Sequence, residues 1–124
     1  MPVIKTRKKI LQPPIKYKEH EQSKYYNSHI WQRLRSYYYS RHPLCECCLA
    51  HDRYTPAEHV HHRRMFMSGK DDNERWRLLS DQNNLTSLCI VCHEAIHRKI
   101  KRYGLSWCDS LTDEEYNAAH NLFS

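Results

Sequence analysis

Cysteines at regular spacing are the first residues in this sequence that could do chemistry. Cys45 and Cys48 form one Cys-x-x-Cys pair, and Cys89 and Cys92 form another. Each such turn can direct two sulfur atoms at one point, and two turns together complete a tetrahedral site with no open position, as in structural zinc sites. We therefore predict a structural Zn²⁺ bound by these four cysteines, with buried free cysteines as the alternative. Cys47 could replace a neighbour as ligand, although the spacing favours Cys45 and Cys48.

Histidines form a second group of candidate functional residues. His61 and His62 are adjacent, whereas His93 and His97 are four positions apart. The latter spacing places both imidazoles on one face of a helix, where they can ligate a single metal ion. Taken singly, these residues could be ordinary polar side chains, and so could Asn84. Their order along the chain, interleaved with the cysteine pairs, favours a metal-dependent site.

The charge of the chain is unevenly distributed. The 124 residues carry a net charge of +6, but residues 1–44 hold ten Lys/Arg and two acids, whereas residues 45–124 hold ten Lys/Arg and twelve acids. A basic segment before a nearly neutral body is typical of a protein that binds a polyanion, although a solubilising tail would have the same composition. We predict a flexible basic arm over residues 1–22 and a single domain over residues 23–124. Only 40% of the residues are hydrophobic, so the core should be thin and supported by bound metal.

Nothing in the sequence indicates a membrane protein. No run approaches the roughly 20 apolar residues of a membrane span, and no signal peptide is visible. We therefore expect a cytoplasmic protein with no membrane partner. Cysteines stay reduced in that compartment, which favours metal binding over disulfides.

The helices and strands that would position these residues can be predicted from periodicity and capping. Hydrophobic spacing predicts four helices, over residues 28–40, 72–79, 89–103 and 112–123. The last is the best supported, because Thr112 and Glu115 can form a capping box. A strand is predicted over residues 57–62, a connection that could hold the return of a hairpin over 63–70, and a polar loop over 81–88. Cys108 stands outside both cysteine pairs and is predicted to be a small core residue.

These motifs resemble the HNH endonuclease family, in the zinc-knuckle branch found in phage and bacterial genomes. The resemblance covers about residues 43–98 and is carried by residues 45–48, 57–62, 84–89 and 92–93. It implies an α+β fold, in which a small ββα-metal core with a structural zinc site is flanked by an N-terminal and a C-terminal helix. It also implies a metal-dependent endonuclease that hydrolyses phosphodiester bonds in double-stranded DNA. Such an enzyme would work in the host cytoplasm if it is phage-encoded. Protein partners such as phage packaging components are compatible with the resemblance.

The resemblance also implies a role for each residue of the histidine group. His62 matches the general base, which takes a proton from the attacking water, and Asn84 matches the residue that braces the hairpin loop and orients the base. His61, His93 and His97 match the ligands of a single catalytic divalent ion. Because His61 stands where relatives often carry aspartate, the candidates include Mn²⁺, Zn²⁺, Ni²⁺ and Co²⁺ beside Mg²⁺. The basic residues expected to contact DNA are Lys5, Arg7, Lys8, Lys9, Arg63, Arg64, Arg98 and Lys99.

Two further interpretations stay open at this point. The first is a non-catalytic, zinc-stabilised DNA-binding module, and the second is a structural zinc adaptor for another protein. Neither needs the full set of histidines and Asn84. The nuclease interpretation has its own requirement, because adjacent residues on a regular strand face opposite sides. If His61 and His62 both face one site, the strand must end or bulge there.

Overall fold

The fold is described by a computed structural model covering residues 19–122. Its helices are α1 (Glu19–Tyr26), α2 (His29–Arg41), α3 (Glu46–Ala50), α4 (Asp72–Ser80), α5 (Ile90–Tyr103) and α6 (Asp113–Ala119). Its strands are β1 (His59–His62) and β2 (Leu85–Leu88), and short 3-10 turns lie at Phe66–Ser68 and Gln82–Asn84. Within residues 19–122, no helix is long and apolar enough to cross a membrane.

The N-terminal region differs in part from the predicted arm over residues 1–22. Helix α1 begins at Glu19, so the last four residues of that segment are helical. Residues 1–18, with most of the predicted arm, lie outside the described part of the chain. The division into arm and domain therefore stays a prediction.

Helix α2 has the predicted position but a different buried face. Ser28 caps it by accepting a hydrogen bond from the amide of Trp31. Trp31 and Tyr38 are buried and Leu34 is half-buried, whereas Ile30, which was expected in the apolar stripe, is 52% exposed. The helix ends at Arg41, two residues before Pro43, which disfavours helical geometry in the residue preceding it.

The two strands form an antiparallel pair whose second member was not predicted. His59 pairs with Leu88 and His62 with Leu85. The connection over residues 63–70 is not the return of a hairpin, and the predicted loop over 81–88 is wrong for its second half, which is β2. Its polar residues look like a loop in sequence, but every residue of β2 is buried.

The remaining helices follow the sequence signals closely. Helix α4 runs one residue beyond the predicted 72–79. Helix α5 ends at Tyr103, and Gly104 follows in the left-handed conformation with φ of 63°, which glycine adopts without strain. The capping box of Thr112 and Glu115 is present, but α6 ends at Ala119, short of the predicted residue 123. Residue 123 lies outside the described residues.

Two apolar clusters lie on opposite sides of the strand pair. The first contains the cysteines, Leu88, and the inner faces of α5 and α6. It includes Cys108, which is 5% exposed, as predicted for a small core residue. The second is mainly aromatic, contains Trp31 and Phe66, and joins α1, α2 and α4 to Leu85. β2 thus contributes Leu88 to the first cluster and Leu85 to the second.

Candidate metal centres

The four predicted cysteines converge on one point. Cys45 precedes α3 and Cys89 precedes α5, and both lie at helix N-caps. The Sγ atom of Cys48 lies 3.9 Å from that of Cys89 and 3.8 Å from that of Cys92. Tetrahedral zinc with Zn–S bonds of about 2.3 Å requires sulfur–sulfur distances of about 3.8 Å.

The cysteine cluster therefore fits zinc in both donor type and spacing. The Sγ atoms of Cys45, Cys48, Cys89 and Cys92 all lie within 4.8 Å of one another, and Cys47 is not part of the group. Cys45, Cys48 and Cys92 are fully buried. With no open position left for water, this is the arrangement of a structural site and not of a catalytic one.

Three histidines form a second, separate cluster. The nitrogen atoms of His61, His93 and His97 that face one another lie within 4.8 Å. β1 supplies the first, and successive turns of α5 supply the other two. The Nε2 atom of His61 lies 2.9 Å from the carbonyl oxygen of Cys108. If Nε2–H donates there, Nδ1 is left to ligate a metal, a common way to fix the ring of a metal-binding histidine.

Loss of hydration lowers the pKa of these imidazoles, although His97 is still exposed at the surface of α5. Loss of solvent lowers the pKa of His61 to about 4 and that of His93 to about 3, and it also lowers the pKa of His97. The neutral form is the one that can bind a metal ion. At neutral pH the cluster therefore presents three nitrogen donors without proton competition.

His62 is held on the other side of the strand from His61. Its ring lies 4.7 Å from that of Trp31 and 5.0 Å from that of Phe66, measured between centroids. Its Nε2 atom lies 3.1 Å from the carbonyl oxygen of Leu79, and burial lowers its pKa to about 4. β1 ends at His62, as the nuclease interpretation required.

Both adjacent histidines nevertheless reach one cavity of about 110 Å³. His93 and His97 line it as well, together with Tyr26 from α1. The three-histidine cluster and a fourth, neutral histidine thus line one partly open cavity.

Asn84 braces the chain directly after His62. Its Oδ1 accepts a hydrogen bond from the amide of Arg64 at 2.8 Å, and its Nδ2 donates to the carbonyls of Arg64 and Leu78, each at 3.0 Å. Leu78 and Leu79 lie in the last turn of α4, where carbonyls lack partners within the helix. Asn84 and His62 therefore use neighbouring free carbonyls of the same helix end.

Comparison with known proteins identifies this arrangement. No protein-family profile and no curated protein matches the chain. Among solved structures, it is similar to the HNH endonuclease of the deep-sea thermophilic bacteriophage GVE2, solved with a manganese ion. The sequences are 25% identical, the match covers 82% of this chain and 97% of that chain, and the TM-score is 0.57. This chain has the fold of an HNH endonuclease. The resemblance and the predicted α+β fold class are thereby confirmed.

Two of the basic residues predicted to contact DNA form ion pairs within the protein. Arg63 points inward, with NH1 2.5 Å from Asp109 and Nε donating to the carbonyl of Leu85 at 3.0 Å. The ammonium of Lys99 lies 2.8 Å from Glu115 and links α5 to α6. Both residues therefore have a structural role, and their contact with phosphates stays a prediction.

The other predicted DNA contacts divide into two groups. Arg98 is exposed on α5, and Arg64 is half-buried with Nε 3.2 Å from the hydroxyl of Ser68. The other four predicted contacts belong to the arm and lie outside the described residues; they are Lys5, Arg7, Lys8 and Lys9.

Sequence reasoning missed three residues that support the HNH site. Glu46 accepts hydrogen bonds from the hydroxyl of Tyr38 at 2.6 Å and from the amide of Ser87 at 2.8 Å, which joins the first cysteine turn to α2 and β2. Asp109 neutralises Arg63 beside β1. His59 stacks on His93 with ring centroids 4.2 Å apart. Only His59 had a usable signal, since it lies two positions before His61 and so on the same face of β1.

Proposed function

We propose that this chain is a metal-dependent HNH endonuclease that hydrolyses phosphodiester bonds in DNA. The observation that carries this proposal is one cavity lined by a three-nitrogen cluster and by a separately held neutral histidine. A DNA-binding module or a zinc adaptor would need the cysteine cluster, but it would not need the histidine cavity. The similarity to the phage GVE2 nuclease supports the same reaction class.

We propose that His61, His93 and His97 hold the catalytic divalent ion. A bound divalent ion stabilises negative charge on the phosphate and on the leaving oxygen. Three imidazoles favour Mn²⁺, Zn²⁺, Ni²⁺ or Co²⁺ over Mg²⁺, which prefers oxygen ligands. The manganese ion of the GVE2 enzyme is consistent with this preference. We assign structural Zn²⁺ to the four cysteines.

His62 is proposed as the general base. With Nε2–H donating to the carbonyl of Leu79, its Nδ1 carries the lone pair that accepts a proton from water. The water oxygen then bonds to phosphorus as the bond from phosphorus to the leaving oxygen breaks. Asn84 acts as a positioning residue, because it fixes the backbone of Arg64 against the same helix end that holds His62.

Double-stranded DNA is the proposed substrate. Arg64 and Arg98 are proposed to contact its phosphates, because neither forms a salt bridge with an acid among the described residues. The six Lys/Arg of residues 1–18 are proposed to add phosphate contacts. Deleting residues 1–18 should therefore make DNA affinity less dependent on salt, because fewer phosphate contacts form and fewer counterions are released on binding.

Plasmid cleavage with a panel of divalent metals tests the function. His62→Ala should lower the cleavage rate by about 10²–10⁴, as is typical for loss of a general base. His29→Ala, which changes an exposed histidine on α2, is the matched control and should cleave as the wild type does. DNA affinity and thermal unfolding of each variant show whether the fold is retained.

Two results would contradict the proposal. Equal cleavage by His62→Ala and the wild type would remove His62 as the base. A folded wild type that binds DNA but does not cleave it with any metal would favour the non-catalytic DNA-binding module.

A further inference from the structure

A zinc-loaded cysteine cluster would be a buried negative charge. Four thiolates around one Zn²⁺ leave a net charge of −2, and three of the four cysteines have no exposed surface. A buried charge is costly unless hydrogen-bond donors face it. One donor is local, since the amide of Cys48 lies 3.3 Å from the Sγ atom of Cys45. The sulfur atoms of Cys48 and Cys92 need donors from elsewhere.

Those donors come from α6 and the residue that follows it. The hydroxyl of Tyr116 lies 3.0 Å from the Sγ atom of Cys48. The Nε2 atom of His120 lies 3.2 Å from the Sγ atom of Cys92. Tyr116 is 1% exposed, so water does not replace its hydroxyl at the sulfur.

Ring stacking fixes both donors in place. The ring of Tyr116 is sandwiched between those of His51, at a centroid distance of 4.1 Å and an angle of 12°, and His120, at 4.2 Å. His51 is itself anchored, with Nε2 3.1 Å from the carbonyl of Leu111 and Nδ1 2.9 Å from Asp113. The three rings thus form one stack beside the cysteine cluster.

We propose that Tyr116 and His120 are positioning residues of the zinc centre, which donate hydrogen bonds to the thiolates of Cys48 and Cys92 and slow the loss of zinc. Hydrogen bonds from neighbouring residues to the ligands of a metal commonly change metal affinity by about 10–100-fold. The consequence reaches the histidine cavity, because Cys92 and His93 are consecutive residues in the first turn of α5. This proposal rests on zinc in the cysteine cluster and not on nuclease activity.

Two variants remove only the donors. Tyr116→Phe and His120→Phe delete the hydroxyl and the ring nitrogens but keep an aromatic ring in the stack. In the zinc-loaded full chain, each should accelerate zinc transfer to a chromogenic chelator, and the double variant should do so by about 10–100-fold. Asn117→Ala, an exposed change on the same helix, is the control and should release zinc at the wild-type rate.

Substitution of Co²⁺ for zinc separates donation from simple packing. Loss of a hydrogen bond makes a thiolate a stronger electron donor, so the sulfur-to-cobalt charge-transfer band should move to lower energy in both variants and stay in place in Asn117→Ala. A double variant with wild-type zinc release and an unshifted cobalt band would overturn the proposal, even if its melting temperature fell. Wild-type protein purified in folded form without zinc would overturn the zinc assignment and this proposal together, but it would leave the test of His62 unaffected.

Discussion

Removal of the Asn84 side chain should be among the most damaging small changes in this protein. Asn84 is 7% exposed, and its amide makes three hydrogen bonds, two to Arg64 and one to Leu78. Each such bond contributes about 0.5–1.5 kcal/mol, and loss of one partner leaves a backbone group unsatisfied. Asn84→Ala should therefore lower the free energy of unfolding by about 3 kcal/mol. That is a large fraction of the roughly 5–15 kcal/mol that stabilises a typical domain.

Urea unfolding of the zinc-loaded protein measures this loss. Asn83→Ala is the matched control, because Asn83 is the exposed neighbour, and it should stay within about 0.5 kcal/mol of the wild type. Asn84→Asp keeps an acceptor for the amide of Arg64 but sets a carboxylate against the carbonyls of Arg64 and Leu78. It should therefore be no more stable than Asn84→Ala. A loss below about 0.5 kcal/mol in Asn84→Ala would refute the idea that this side chain braces the loop after His62.

Three other perturbations test the two metal centres and the burial of His62. Cys89→Ser should prevent zinc binding and with it folding, since structural zinc supplies on the order of 10 kcal/mol. Cys108→Ser should keep both the zinc and the fold. Metal content and thermal unfolding measure the difference between the two variants. His62→Phe should remove an acid sensitivity: in the wild type the folded pKa of about 4 lies below the ordinary 6.5, so the stability present above pH 6.5 is lost as pH falls toward 4. At pH 5 the wild type should have lost about 2 kcal/mol more than the variant, as measured by urea unfolding at pH 7 and 5. His61→Asp should shift cleavage toward Mg²⁺ by supplying an oxygen ligand, and wild-type cleavage with Mg²⁺ but with no transition ion would contradict a three-nitrogen site.

Helices could be predicted here because their signals are local. The capping box of Thr112 and the glycine at position 104 each depend on a few neighbouring residues, and both are present as expected. β2 could not be predicted in this way. Thr86 and Ser87 are polar, yet both are buried, and among the described residues the hydroxyl of Ser87 has no hydrogen-bond partner. The amide of Ser87 bonds to Glu46, 41 positions away, so the strand depends on tertiary contacts.

In the candidate site, too, local features could be predicted from the sequence and tertiary contacts could not. Spacing was enough to find the two candidate metal-binding sets, because i to i+4 histidines and Cys-x-x-Cys turns are local geometries. Proximity to the motif did not reveal which basic residues form ion pairs within the protein. Arg63 and Lys99 lie beside it, but their partners Asp109 and Glu115 come from the last quarter of the chain. The stack of rings around Tyr116 has no sequence signature, since it forms only when α6 packs against the cysteine turns.

The adjacent histidines show how a thin core can still build a precise cavity. Because residues alternate along β1, His61 faces the cysteine cluster and bonds to the carbonyl of Cys108, whereas His62 faces the aromatic cluster and stacks near Trp31. Each ring is thus held by a different core. Both rings line one cavity at the end of β1. Zinc bound at the four cysteines, as proposed, would organise only the first of these cores directly. Loss of zinc should therefore displace His61 and His93 directly, whereas the packing around His62 should be lost only through the unfolding that the first core then undergoes.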